Sequence, residues 1–236
     1  MNHSPTDNPK GFTIRNDIEL TSFFSEAVLA HVGKALNQEL SNLDEIFSLT
    51  SKFDLFKYLK NKESRIFDAD TASEIYNMLK RSSLSDFFNE FDISDEEALG
   101  YRNFYFRLVR ENSPSDVGSL HADRWFWDLN NQKISSHLQR TKVWIPLLQD
   151  DENPSLLLIP GSHRSVDTFK YSYTEDSSGK RRPIIDLSFD SSVVCPAPIK
   201  MGEHIIFHDS LIHGGRSTTK NRVSVEFTVL HPISGH

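Results

Sequence analysis

Cysteine is the scarcest residue of this sequence and occurs once, at Cys195. A single cysteine cannot form a disulfide within the chain, and it excludes a cysteine-rich zinc site. Basic residues are also in deficit, because 26 Lys and Arg stand against 33 Asp and Glu and leave a formal net charge of -7. Surfaces that bind nucleic acid usually carry an excess of positive charge, so we expect no nucleic acid among the partners.

Long apolar segments are missing as well. No window approaches the roughly 18 consecutive apolar residues that a membrane-crossing helix needs, so we expect no membrane span. Residues 1–11 are polar, contain two prolines, and lack the basic and apolar regions of a secretory signal. We therefore expect a disordered start and a cytoplasmic location.

The length of 236 residues suits a single domain, and the first part of the chain is rich in helical signals. We interpret residues 12–100 as mainly helical support. Residues 71–74, Thr-Ala-Ser-Glu, match a capping box, which predicts a helix start. Ile75, Met78 and Leu79 follow at the spacing of one apolar helical face. Helices in this part would form a packing layer.

The second part, residues 101–236, has the pattern of β structure. Short strand-like segments alternate with turn signals such as Pro160-Gly161, which is typical of an antiparallel sandwich or barrel. The predicted strands cover residues 102–110, 142–148, 156–159, 204–207 and 222–230. The stretch 164–192 is less regular, and a loop of this length is often a lid or a binding loop.

The sharpest chemical feature is His121-Ala122-Asp123. On an extended strand, residues i and i+2 point to the same side, so this imidazole and this carboxylate can reach one cation together. A second histidine is needed, and His213 is the best candidate. Two histidines and one carboxylate on one face of an octahedron leave three positions open, which is the arrangement of non-haem Fe(II) oxygenases.

Arg222 and Ser224 share one face of a predicted strand, whose other face carries Val223, Val225 and Phe227. A guanidinium can grip a carboxylate through two parallel hydrogen bonds, and a serine hydroxyl can add a third. This pair suits the distal carboxylate of 2-oxoglutarate. The apolar face requires cover, which the N-terminal helices can supply.

Together these motifs resemble the phytanoyl-CoA dioxygenase family, a branch of the Fe(II)/2-oxoglutarate-dependent oxygenases. The segments that carry the resemblance are His121-x-Asp123, Trp144-Ile145-Pro146-Leu147, Leu158-Ile159-Pro160-Gly161-Ser162-His163, Met201-Gly202-Glu203 with His213, and Arg222-x-Ser224. They run from about residue 101 to 231, somewhat over half of the chain. Each piece is weak alone, whereas their order is specific.

The resemblance implies a mainly β fold, a double-stranded β-helix or jelly roll, packed against the N-terminal helical layer. The second part of the chain would be the catalytic core. The resemblance also implies iron held by His121, Asp123 and His213. It implies 2-oxoglutarate anchored by Arg222 and Ser224, with O2 as the other co-substrate.

Three further side chains are candidates for contacts with the co-substrate or the substrate. Tyr105 and Arg107 lie on the strand face opposite Phe104 and Phe106, so they either point into the barrel or lie on an exposed face. Trp127 is a candidate wall of the pocket, with Trp125 and Phe126 as competing candidates, and packing in the core or at the rim would explain each of them equally well.

The sequence thus predicts an oxygenase that hydroxylates an unactivated C–H bond of a small metabolite, with release of succinate and CO2. Two other classes stay open: a cupin-like metal-dependent isomerase or hydrolase without 2-oxoglutarate, and a catalytically silent ligand-binding member of the fold. Arg222 with Ser224 argues against the first, and the complete set of three ligands argues against the second. Arg216 is a weaker alternative to Arg222, because it follows His213 too closely to reach the far end of the co-substrate.

Overall fold

The computed structural model describes residues 8–49, 63–88, 90–175, 179–186, 188 and 190–233. Its α-helices in these ranges are α1 (Ile18–Leu36), α2 (Leu43–Ser48), α3 (Ala69–Leu79), α4 (Ser83–Phe87) and α5 (Asp123–Leu129). The strands there are β1 (Phe12–Asn16), β2 (Asp92–Ile93), β3 (Tyr105–Val109), β4 (Leu138–Leu148), β5 (Leu156–Leu158), β6 (Tyr171–Glu175), β7 (Arg181–Ile185), β8 (Cys195–Pro196), β9 (Glu203–His208), β10 (His213–Gly215) and β11 (Arg222–Pro232). No helix within these ranges has both the length and the apolar character needed to cross a bilayer.

The strands pair antiparallel in two main sheets and a hairpin. The larger sheet has the order β1-β9-β4-β11-β2, and β3 also pairs with β11. The smaller sheet has the order β10-β5-β8, while β6 and β7 pair with each other. The antiparallel arrangement predicted from the strand pattern is confirmed, and each of the five predicted strands overlaps an observed one.

An apolar cluster joins the two sheets. The larger sheet contributes Trp144, Ile205 and Phe207, and the smaller sheet contributes Leu156 and Leu158. These five side chains are almost fully buried. Because strand side chains alternate between faces, this cluster defines the inner face of β4 and β9.

The outer face of the larger sheet packs against the N-terminal helices. Val223, Val225 and Phe227 of β11 belong to one large cluster that also contains Phe24 and Val28 of α1. The rings of Phe24 and Phe227 stack with centroids 6.0 Å apart. Each such fully buried side chain contributes roughly 1.5–3 kcal/mol to folding. The helical layer therefore covers the apolar face of β11, and the polar face of that strand turns inward.

The start of α3 differs from the prediction. The helix begins at Ala69, and the carboxylate of the N-cap residue Asp68 accepts a hydrogen bond from the amide of Thr71 at 2.9 Å. The capping box predicted at residues 71–74 is therefore wrong. Aspartate is among the best N-cap residues, and here it starts the helix one turn earlier.

The beginning of the chain contributes a strand to the larger sheet. Within the part predicted as mainly helical, β1 pairs with β9 from Phe12 opposite Phe207 to Asn16 opposite Glu203. Of the start that was predicted to be disordered, residues 1–7 lie outside the described residues. The carbonyl of Gly11 accepts a hydrogen bond from the amide of His208 at 3.0 Å.

The stretch 164–192 is more regular than predicted, because β6 and β7 form a hairpin that docks on α5. The rings of Tyr171 and Trp125 stack with centroids 4.4 Å apart. The side-chain amide of Asn130 accepts from the amide of Arg181 at 3.0 Å and donates to its carbonyl at 2.9 Å. Asn130 and Arg181 are 51 residues apart in sequence, so no local pattern reveals their contact.

Candidate active site

The three side chains predicted to bind a metal come together in the structure. One ligand atom from each of His121, Asp123 and His213 lies within 4.8 Å of the other two. Oδ1 of Asp123 is 3.6 Å from Nε2 of His121 and 3.9 Å from Nε2 of His213. In the part of the chain that the structure describes, no other group of three His, Cys, Asp or Glu side chains has this arrangement.

Backbone pairing places the two histidines side by side. The amide of His121 donates to the carbonyl of His213 at 2.8 Å, and the reverse hydrogen bond is 2.9 Å long. After the extended residue Ala122 the chain turns, and Asp123 is the first residue of α5. The amide of Trp125 donates to the carbonyl of Ala122 at 3.1 Å, which closes this turn. The prediction of one strand through His121 and Asp123 is therefore wrong, although both side chains reach the same place.

Hydrogen bonds to the backbone fix which imidazole nitrogen is free. Nδ1 of His121 lies 2.7 Å from the carbonyl of Ser119, and Nδ1 of His213 lies 2.9 Å from the carbonyl of Leu211. A carbonyl oxygen can only accept, so each Nδ1 carries a proton, and in the neutral imidazole Nε2 then keeps its lone pair. Such outer hydrogen bonds set the orientation and tautomer that a metal-binding histidine needs.

The charges of the site also suit a metal ion. Burial raises the pKa of Asp123, but the ammonium of Lys142 and the neighbouring imidazoles of His213 and His121 outweigh burial and hold that pKa well below its usual range. Burial lowers the pKa of His213 to about 4. At neutral pH the carboxylate is thus ionised and His213 is neutral, which are the forms that bind metals. The buried Oδ2 of Asp123 has no hydrogen-bond partner among the described residues. This donor set fits Fe(II).

Arg222 is a buried cation whose hydrogen-bonding capacity is only partly used. Arg222 is 3% exposed. Its Nη1 atom donates a hydrogen bond to the hydroxyl of Ser155 at 3.1 Å. Its Nε atom and the buried hydroxyl of Ser224 have no partner among the described residues. Burial, with a smaller effect from Arg107, lowers the pKa of Arg222 to about 9. A buried charge without full compensation is costly, so this pocket fits an anionic ligand such as a carboxylate.

The Arg222 pocket lies beside the strand that begins with His213. A Cβ atom built on Gly215 would lie 3.5 Å from Nη1 of Arg222 and 3.0 Å from Cβ of Val117. A larger residue at Gly215 would therefore crowd this pocket. Gly215 follows His213 by two residues on β10, which is roughly 7 Å of strand. The Arg222 pocket and the three candidate metal ligands thus share one region of the barrel interior.

A bulge lies in the ladder next to Arg222 and Ser224. The register of β11 against β4 shifts between Val223 and Ser224, and Pro146 stands opposite Ser224. Proline has no backbone N–H and occurs in sheets mainly at edges and bulges. Bulges are common next to active sites, where they re-aim side chains.

Tyr105 and Arg107 lie on the same face of the larger sheet as the polar side chains of β11. Arg107 stands opposite Ser224 in the ladder, and Tyr105 stands opposite Glu226. The guanidinium of Arg107 donates to Oε1 of Glu226 at 3.0 Å, and the hydroxyl of Tyr105 donates to Oε1 of Glu97 at 3.2 Å. Because Glu226 compensates the charge of Arg107, Arg222 is better placed than Arg107 to bind an external anion.

Comparison with known proteins shows to which family the chain belongs. A family model described as phytanoyl-CoA dioxygenase (PhyH) matches residues 34–224. The chain belongs to the phytanoyl-CoA dioxygenase family. The match includes the three side chains predicted to bind a metal and ends at Ser224, so the resemblance recognised in the motifs is confirmed. The cofactors of this family are Fe(II) and 2-oxoglutarate. No curated protein sequence matches the chain significantly.

Solved structures similar to this member of the phytanoyl-CoA dioxygenase family share its fold. EvdO2 from Micromonospora carbonacea var. aurantiaca, complexed with 2-oxoglutarate, has 12% identity and a TM-score of 0.54, with 96% of this chain and 89% of that chain covered. The non-heme monooxygenase ThoJ, in its apo form, has 12% identity and a TM-score of 0.55, with 97% and 78% covered. EctD from S. alaskensis, with 2-oxoglutarate and 5-hydroxyectoine, has 14% identity and a TM-score of 0.50, with 96% and 74% covered. At these identities the likeness shows the fold alone, and it confirms the jelly roll.

Trp127 of this family member lines a side cavity. Trp127 is 3% exposed, and the guanidinium of Arg140 lies 4.2 Å from the centroid of the indole ring. Trp127, Arg140, Asp128 and His208 are among the residues that line a cavity of about 280 Å³. A contact of Trp127 with the co-substrate stays a prediction.

Sequence reasoning missed three polar side chains of this site, namely Lys142, Ser155 and Glu226. Glu226 stands between the buried residues Val225 and Phe227, and Lys142 directly precedes the buried residues Val143, Trp144 and Ile145. A charged residue next to buried apolar residues in a predicted strand is a signal that could have found both. Ser155 has no such signal, because its contact with Arg222 joins residues 67 positions apart.

Proposed function

We propose that this protein is an Fe(II)- and 2-oxoglutarate-dependent oxygenase that hydroxylates an unactivated C–H bond of a small metabolite. The observation that carries the proposal is one interior region in which two sets of side chains offer ligand atoms or donors that no described residue uses. One set has two free Nε2 atoms and a carboxylate, and the other has the unpaired donors of Arg222 and Ser224. A metal ion fits the first, and the distal carboxylate of 2-oxoglutarate fits the second.

Each residue has a defined task in this proposal. His121, Asp123 and His213 hold the metal on one face and leave its other positions open. Arg222 and Ser224 hold the distal carboxylate of the co-substrate, which orients its other end toward the metal. Bound Fe(II) supplies the centre at which substrate C–H, 2-oxoglutarate and O2 become C–OH, succinate and CO2.

The family name does not define the substrate, since function depends on the particular site. Polar groups of Tyr105, Arg107, Lys142 and Glu226 stand on the inner faces of β3, β4 and β11. Burying a hydrocarbon chain against such groups would cost free energy through loss of their hydration. We therefore favour a small polar metabolite over a long acyl chain.

We assign the hairpin of β6 and β7 the task of covering the site. It docks on α5, the helix whose first residue is Asp123, through the stack of Tyr171 on Trp125. Ile185 at the end of β7 is buried in the same apolar cluster as Trp125. A cover at this position would exclude water while the oxidation takes place.

The contact between hairpin and helix can be tested by Tyr171→Ala. An aromatic pair contributes about 0.5–1.5 kcal/mol, so we expect the amides of β6 and β7 to exchange hydrogen about 2- to 10-fold faster. Tyr173→Ala is the matched control, because Tyr173 lies on the same strand, is 48% exposed and contacts Arg181 of the hairpin itself. Equal exchange in both variants would contradict docking through Tyr171.

The proposed function predicts an optical signal in the absence of O2. Addition of Fe(II) and then 2-oxoglutarate to the protein should produce a visible charge-transfer band that neither produces alone. Glutarate, which has both carboxylates of the co-substrate but no keto group, should give no band. The measurement is an anaerobic absorption titration.

The alternatives give different results in the same titration. Metal binding without a band would contradict the proposal and favour a cupin-like isomerase or hydrolase. Failure to bind any divalent metal would favour a silent ligand-binding protein. Turnover is then measured as succinate formation with candidate metabolites.

A further inference from the structure

Lys142 is a buried cation next to the metal-binding carboxylate, and the proposed function gives it no task. Its side chain is 9% exposed, and its Nζ atom lies 4.0 Å from Oδ2 of Asp123. Its ammonium also lies 3.4 Å from the hydroxyl of Thr228. Because a buried ammonium is costly without compensation, its position inside the barrel calls for an explanation.

The two oxygens of Asp123 face different neighbours. Oδ1 is the atom nearer to Nε2 of His121 and Nε2 of His213, at 3.6 and 3.9 Å. Oδ2 faces Lys142 and accepts no hydrogen bond from the described residues. The carboxylate is therefore oriented with one oxygen toward the metal-binding group and the other toward the ammonium.

The ammonium of Lys142 stays charged in these surroundings. Burial lowers its pKa, but the carboxylates of Glu96, Asp123 and Glu226 outweigh burial and raise the pKa above its usual value. Glu226 also forms the ion pair with Arg107. Lys142 thus belongs to a connected set of buried and partly buried charges that extends from Asp123 to Arg107 of β3.

We infer that Lys142 is a positioning residue that keeps Asp123 bound to the metal through Oδ1 alone. The inference rests on the proposed function, because it needs a metal ion at the three side chains. A carboxylate can bind a metal through one oxygen or both, and a second bond would occupy one of the three open positions. An ammonium that attracts Oδ2 opposes this second bond and keeps the position available for 2-oxoglutarate and O2.

This role predicts an unusual combination of effects for Lys142→Met. The substitution removes an ammonium that repels a metal ion, and it frees Oδ2 of Asp123. The variant should therefore bind Co(II) no more weakly than the wild type does. In the Co(II)-loaded protein, 2-oxoglutarate should bind roughly 10- to 100-fold more weakly, the usual scale for loss of an outer partner of a metal ligand. The visible absorption of bound Co(II) should change, because the coordination of Asp123 changes. Lys142→Arg keeps the charge and should restore most of the 2-oxoglutarate affinity.

The controls separate positioning from damage to the fold. Lys34→Met makes the same change at a lysine that is 82% exposed and pairs with Asp68, and it should leave both affinities unchanged. If Lys142→Met does not fold, Lys142→Gln serves in its place and should show the same split between the two affinities.

Three outcomes would overturn the inference. In the first, the variant binds 2-oxoglutarate as well as the wild type. In the second, affinities for Co(II) and 2-oxoglutarate fall together, which would indicate a merely structural lysine. In the third, the wild type binds no metal, which would overturn the proposed function as well. Because the first two outcomes require a wild type that binds metal, they leave the proposed function standing.

Discussion

Replacing His121, Asp123 or His213 by alanine is expected to abolish 2-oxoglutarate turnover. In the proposed function each variant loses one of three direct metal ligands, whereas loss of an outer partner alone usually costs 10- to 100-fold in metal affinity or activity. We therefore expect Fe(II) affinity to fall by more than about 100-fold. The measurements are anaerobic metal binding and succinate formation.

Matched surface positions provide the controls for this prediction. His137 is an exposed histidine, and the side chain of Asp128 is 62% exposed on the same helix as Asp123. His137→Ala and Asp128→Ala should bind Fe(II) and consume 2-oxoglutarate like the wild type. Normal turnover in any one of the three ligand variants would remove that residue from the metal site. Circular dichroism should show an intact fold, since these side chains border a site instead of filling the apolar core.

The parts of the site that could be predicted from sequence depend on short-range geometry. Alternation along β11 places Arg222 and Ser224 on one face and Val223 and Val225 on the other, and the structure has this division. His121 and Asp123 are close because they are two residues apart. The local structure was nevertheless predicted wrongly, because Asp123 begins a helix and does not continue a strand.

Features that depend on distant partners could not be predicted. The hairpin of β6 and β7 looked irregular because its composition gives no sign of the contacts that Trp125 and Asn130 make with it. The closeness of Lys142 to Asp123 follows from the packing of β4 beside α5. A lysine within a strand does not indicate which carboxylate it will meet.

Arg222→Ala should separate co-substrate binding from metal binding. Loss of one partner of a buried, hydrogen-bonded charge pair costs about 2–5 kcal/mol, so the 2-oxoglutarate requirement should rise by roughly 30-fold or more. Fe(II) affinity should stay close to that of the wild type, because Arg222 contributes no metal ligand in this proposal. Arg222→Lys should recover only part of the loss, because an ammonium cannot make the two parallel hydrogen bonds of a guanidinium.

The stability of the metal-loaded protein gives a second measurement of the same prediction. A ligand that binds only the folded state raises the melting temperature with its concentration. Saturating 2-oxoglutarate should therefore raise the melting temperature of the wild type, and the same concentration should have little effect on Arg222→Ala. Arg216→Ala is the control, because the Nε atom of Arg216 donates to the carbonyl of Pro154 at 3.0 Å, which leaves this guanidinium bound to the backbone. If Arg216→Ala abolishes the thermal shift while Arg222→Ala retains it, Arg216 and not Arg222 receives the distal carboxylate. The binding site of the distal carboxylate would then lie at the segment that follows β10 and not at β11.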